Sequence, residues 1–188
     1  TANIGLKVIK VNQAVCGNSS ERYTSSTASA VKTFQRTHGL GVTGIVDITT
    51  WKAMGYSEYD WYNLGTYRTP IKVFNGATRE YRINAMLQTA AEYASAGTKY
   101  KVGCSGTPGT YVDCSGLIYQ CLYAAGINPA SNIVDHALAI YEYTSANLAA
   151  DNRLGIEVAS YDLQPGDLVF YAKNGKNSVC HIAIYAGN

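Results

Sequence analysis

The sequence predicts a small all-α bundle followed by an α+β domain in which helices pack on an antiparallel sheet. Three observations carry this expectation. Within residues 1–56, short apolar-periodic segments are punctuated by capping residues and glycines. Further along, Ile83 to Ala94 and Cys114 to Leu122 repeat apolar residues at helical spacing. Near the end, Asp167 to Tyr171 and His181 to Tyr185 read as two strands joined through the turn-prone stretch Lys173 to Ser178.

Composition supports two packed units. The chain has 188 residues, 47% hydrophobic and 15% charged, enough apolar surface to offset the entropy of ordering it. Its formal charge is +2, and its 15 Lys and Arg are scattered, which argues against a nucleic-acid partner. No segment reaches the roughly 18 to 20 apolar residues needed to span a bilayer. The chain opens at Thr1 rather than Met, with 16 Tyr and only 2 Met, and the expectation is a processed form of an exported protein. Five cysteines (Cys16, Cys104, Cys114, Cys121 and Cys180) contain no CxxC pair, which argues against a structural metal site. Their odd number leaves room for one reactive thiol beside two disulfides; reduced core cysteines are the other reading.

The elements follow in order. Leu6 to Val15 and Ala28 to Thr37 read as helices, with a third beginning near Thr50. Thr27 or Ser29 can cap the second helix, Val31 and Phe34 point inward, and Gly39 ends it; Thr49 or Thr50 can cap the third, with Trp51 and Met54 inward and Gly55 as its stop. Residues 57–78 read as an irregular connector, in which Tyr59, Trp61, Tyr62, Tyr67 and Phe74 alternate with Pro70 and Gly76 and pack between the halves. Residues 79–188 form the second domain. Its first helix carries the stripe Ile83, Met86, Leu87, Ala90, Ala91 and Ala94; its second carries Cys114, Leu117, Ile118, Cys121 and Leu122, stopped by Gly126.

The chemistry centres on Asp113-Cys114-Ser115-Gly116, where a loop enters a helix. A cysteine in the first helical turn faces unpaired amides and the positive end of the helix dipole, which favours the nucleophilic thiolate. On the last strand His181, Ala183 and Tyr185 share one face and the isoleucines the other. If the His181 face packs on the Cys114 helix, a thiolate–imidazolium pair can form. His38 and His136 lack such a setting and read as surface or packing residues.

Two resemblances sharpen this. Ala30-Val31-Lys32-Thr33-Phe34-Gln35, Gly39-Leu40, Thr43-Gly44-Ile45-Val46 and Thr50-Trp51 resemble a peptidoglycan-binding domain of the three-helix type, although Asp47-Ile48 stands where that family usually has Gly-Pro. Tyr100-Lys101-Val102-Gly103, Asp113-Cys114-Ser115-Gly116-Leu117-Ile118, Leu163 to Tyr171 and His181 to Gly187 resemble, in that order, the blocks of the NlpC/P60 family of papain-like cysteine peptidases. That resemblance implies a papain-like domain that cleaves peptidoglycan stem peptides between γ-D-glutamate and the diamino acid. Cys114 would be the nucleophile and His181 the base. Tyr100 would hold the oxyanion or substrate, and Asp113 and Ser115 would line the pocket for the stem's amino end. The family's third polar residue has no candidate after His181, so the domain is expected to lack its last strands; as a separate departure, Cys104 stands where a second Gly is usual. The implied protein is a secreted, monomeric cell-wall hydrolase whose partner is peptidoglycan and which needs no cofactor. A peptidoglycan-binding protein with an inactive site is the alternative.

Overall fold

A computed structural model of the chain describes residues 5–64, 67–129, 144–175 and 178–187. His136 therefore lies outside the described residues.

Four helices come first: α1 (Leu6–Cys16), α2 (Ser25–Thr37), α3 (Ile48–Ala53) and α4 (Glu58–Asn63). Val11, Val31 and Trp51 form their buried centre, with Val15, Tyr56, Trp61 and Leu64 packed around it. The caps lie upstream of those expected. Thr24 caps α2 in a reciprocal box with Thr27, which is the third helical residue and not the cap. Asp47 caps α3 by accepting from the Thr50 amide at 2.7 Å. An ionised carboxylate is the stronger acceptor, and the bonds it takes hold its pKa below the usual value. Beside Val31, Gln35 is the buried residue near the end of α2, while Phe34 is half-buried and stacks on the exposed His38 with ring centroids 3.9 Å apart. Gln35 can be buried because its amide is fully used. It accepts from the amides of Thr43 and Gly44 and donates to the Ile45 carbonyl and the Thr50 hydroxyl.

The connector is not wholly irregular, since α4 occupies its start. Trp61 turns back onto Trp51, with ring centroids 5.8 Å apart, whereas Tyr59, Tyr62 and Phe74 are exposed.

The second unit runs α5 (Arg79–Ser95), β1 (Lys99–Tyr100), β2 (Tyr111–Val112), α6 (Cys114–Ala124), α7 (Ser145–Ala150), a 3-10 turn at Ser160–Asp162, then β3 (Leu168–Ala172) and β4 (Val179–Ile184). β3 and β4 pair antiparallel, as the sequence indicates; β1 and β2 form a short parallel ladder that the sequence pattern does not signal. The core gathers Met86, Ile118, Cys121, Leu122, Leu148 and Ile182, so α5, α6, α7 and β4 meet there.

The buried stripe of α5 differs from the expected one. Ala85, Met86, Thr89 and Tyr93 are buried, while Ala91 and Ala94 are exposed. Polar tips explain the shift. The Thr89 hydroxyl donates to the Ala85 carbonyl and the Tyr93 hydroxyl to the Gly106 carbonyl, so two residues that an apolar pattern skips carry their own partners inside.

Candidate active site

Cys114 is the first residue of α6, and Asp113 is its N-cap. The Asp113 carboxylate, 6% exposed, makes three bonds. One oxygen accepts from the Gly116 amide at 2.7 Å and the Ser115 hydroxyl at 2.9 Å; the other accepts from the Gly103 amide at 2.7 Å. The bond to Gly103 ties the loop after β1 to the start of the helix. Gly103 itself has φ of 77°, a backbone shape that a side chain would strain.

The loop also lies flat against the helix. A Cβ on Gly116 would come within 2.2 Å of the Cys104 carbonyl oxygen, so only glycine permits this approach. The Ser105 hydroxyl donates to the Gly116 carbonyl at 3.1 Å, and the Asp113 amide donates to the Cys104 carbonyl at 2.7 Å.

Tyr100 on β1 is near enough to Cys114 for the two groups to interact electrostatically. Burial first, and then the neighbouring Cys114 and Asp113, push its phenol up to about 12. It therefore stays protonated, and a donor, over the whole working range of a cysteine nucleophile. Cys104 is pushed up to about 12 by burial and by Asp113, and Cys121 to about 12 by burial, so both remain inert thiols. All five cysteines are free in this structure; Cys104 and Cys121 are buried, Cys16 and Cys114 half-buried, and Cys180 exposed.

His181 lies on β4, opposite Tyr171 on β3, and its ring centroid is 5.6 Å from that of Tyr171. Here the expectation is reversed. Ile182 is 2% exposed in the core against α6, with Ile184 packed beside it, so the isoleucine face meets the helix and His181 is exposed. The pleat permits one face inside, and two isoleucines gain more from burial than a histidine and an alanine. Among the described residues no hydrogen bond joins His181 to Cys114. The structure thus brings Tyr100, Asp113, Cys114 and Ser115 together and sets His181 on the strand that packs against their helix. Asp113 and Ser115 turn their polar atoms into the loop itself, as a capping role requires.

Sequence reasoning missed Ser105 and Gln120. The signal for Gln120 was present, an amide inside the apolar run Leu117-Ile118-Tyr119-Gln120-Cys121-Leu122.

The NlpC/P60 family profile matches residues 97–188, which contain this whole arrangement. Through this segment the chain is similar to the NlpC/P60 family. A peptidoglycan binding domain profile matches residues 12–54, covering the C-terminal end of α1 and all of α2 and α3. The chain is similar to the gamma-DL-glutamyl hydrolase of Bacillus subtilis (strain 168), with 30% identity over 154 residues, 81% of this chain. The match spans only 31% of that relative's length. No solved structure matches the chain significantly.

Proposed function

We propose that the chain is a secreted cell-wall hydrolase, a cysteine endopeptidase on a papain-like scaffold that cuts peptidoglycan stems at the γ-D-glutamyl–diamino acid bond. The observation that carries this is the capped helix start: Cys114 opens α6, with the buried Asp113 carboxylate capping it and tying the loop after β1 to its first turn. The Cys114 thiolate attacks the γ-glutamyl carbonyl carbon, and the oxyanion is met by backbone amides of the first turn and the Tyr100 hydroxyl. Imidazolium of His181 then protonates the leaving amine, the C–N bond breaks, and a thioester remains. His181 takes a proton from water, the resulting hydroxide attacks the thioester, and the γ-carboxylate leaves as the thiolate returns. Catalytic hydrogen bonds are often long without substrate, so the imidazole closes on Cys114 only in the complex. The relative's name supports the γ-glutamyl side of the bond. Residues 1–56 hold the enzyme on its polymer and raise the local substrate concentration.

A second reading, a stem-binding protein without turnover, draws on the separation of His181 from Cys114. Mass spectrometry of peptidoglycan fragments of both diamino-acid types, and of a γ-linked glutamyl oligomer, tests the two. Fragments cut after γ-D-glutamate by the wild type and not by Cys114→Ala support the peptidase. Cutting of the oligomer alone would replace the substrate, and intact material with retained binding would establish the second reading.

A further inference from the structure

Gln120 lies on α6 beyond Cys114, fully buried at 0% exposure, and no part of the proposed reaction uses it. Its side chain joins two separate pieces of chain to α6. The carbonyl accepts from the amide and the hydroxyl of Thr69 at 2.8 and 3.0 Å. The NH2 donates to the Tyr67 carbonyl at 2.8 Å and to the hydroxyl and carbonyl of Ser105 at 2.8 and 3.2 Å. Every donor and acceptor of the amide is engaged, so the group is strongly held and costly to disturb.

The two arms do different things. Through Thr69 and Tyr67, Gln120 holds a strap that continues along the helix, where the Lys72 amide donates to the Ala124 carbonyl. Through Ser105 it holds the loop whose other contacts include the Gly116 carbonyl, the Cys104 carbonyl against Gly116, the Asp113 amide on Cys104 and the Gly103 amide on Asp113. That loop leads directly from β1, which carries Tyr100. We infer that Gln120 is a positioning residue for the nucleophile: by fixing Ser105 it sets the loop that follows Tyr100 against the first turn of α6, beside Cys114. The inference rests on Cys114 being the reactive thiol of the proposed hydrolase, but its geometry can be read without turnover.

The experiment compares the two arms in the full chain. Ser105→Ala removes the loop-side hydroxyl, Thr69→Val removes the strap-side hydroxyl, and Gln120→Leu removes both arms. Iodoacetamide labelling of Cys114, followed by peptide mapping, reads the thiol directly; thermal unfolding reads the fold; kcat and KM are measured on the fragments that the wild type cuts. Ser105→Ala should change the Cys114 labelling rate and lower kcat by about 10-fold or more at nearly constant KM, because a misplacement near 1 Å costs up to about 100-fold. Thr69→Val should lower the unfolding temperature and leave labelling and kcat close to wild type. If Gln120→Leu does not fold, the contrast between the two single-arm variants still decides. Equal effects of the two variants on labelling, or unchanged labelling in Ser105→Ala, would overturn the positioning role and leave Gln120 a structural residue. A wild type without turnover removes the hydrolase reading alone, since the labelling contrast is measured without substrate.

Discussion

The nucleophile side and the base side of the candidate site are held in opposite ways. Around Cys114, Asp113 makes three bonds, Gly116 admits the Cys104 carbonyl, and Ser105 locks onto both Gly116 and Gln120, all of them buried. His181 has only its strand: it is exposed, it pairs with Tyr171, and the ladder breaks register between Tyr171 and Ala172, where Cys180 is the extra residue. Bulges occur beside active sites because they re-aim a side chain. Cys114 is preorganised by hydrogen bonds, whereas the position of His181 is set by local backbone shape. Substitutions on the nucleophile side should therefore cost stability together with activity, and those on the base side activity alone.

The largest effect expected is of the second kind. His181→Ala should lower turnover of stem fragments by about 10^4-fold, while urea unfolding changes by no more than about 0.5 kcal/mol, because the ring is exposed and no cavity forms. A fall in stability matching the fall in activity would mean that the base side is as firmly built as the nucleophile side. Next comes Gly116→Ala, whose methyl would meet the Cys104 carbonyl oxygen at 2.2 Å. Backbone on both sides cannot yield cheaply, so a loss of about 3 kcal/mol or more is expected with activity falling alongside. Wild-type unfolding in Gly116→Ala would show that the loop can move away from α6, and the contrast would fail.

Much of this was legible in the residues, and the remainder has physical reasons for being hidden. The helix that Cys114 opens, its stop at Gly126 and the β3–β4 pair follow from periodicity and punctuation, which are local. The direction of the last strand was misread because alternation says that two faces differ, not which one is buried; the deciding quantity is the burial gained by Ile182 and Ile184. Gln35, Tyr93 and Gln120 escaped because their burial depends on partners supplied by other parts of the chain, and Thr89 because its hydroxyl is satisfied by the Ala85 carbonyl of its own helix. For Gln120 those partners are Tyr67 and Thr69, roughly 50 positions away, on a connector with no pattern of its own.

Tyr100→Phe sharpens the comparison at a smaller scale. The ring is 61% exposed and Phe keeps its contacts, so stability should stay within about 0.5 kcal/mol, while loss of one oxyanion donor should lower kcat by about 10- to 100-fold. A rise in KM at constant kcat would instead make Tyr100 a substrate-binding group.

The smallest effect is a slope. Burial and the adjacent Asp113 raise the Cys104 thiol from 9.0 to about 12, so the folded nucleophile side keeps a proton that the unfolded chain releases near 9. The neutral thiol's contribution is present below pH 9 and is lost as pH rises toward 12, since the folded state binds more protons there. Between pH 9 and 10 Cys104 should remove about 1 kcal/mol of stability, and Cys121 a similar amount. Cys104→Ala should flatten the fall in unfolding free energy over that interval by about the share of one thiol, whatever it does to stability at pH 7. An unchanged slope would mean that Cys104 meets solvent, and that the loop carrying it rests less tightly on Gly116 than its hydrogen bonds imply.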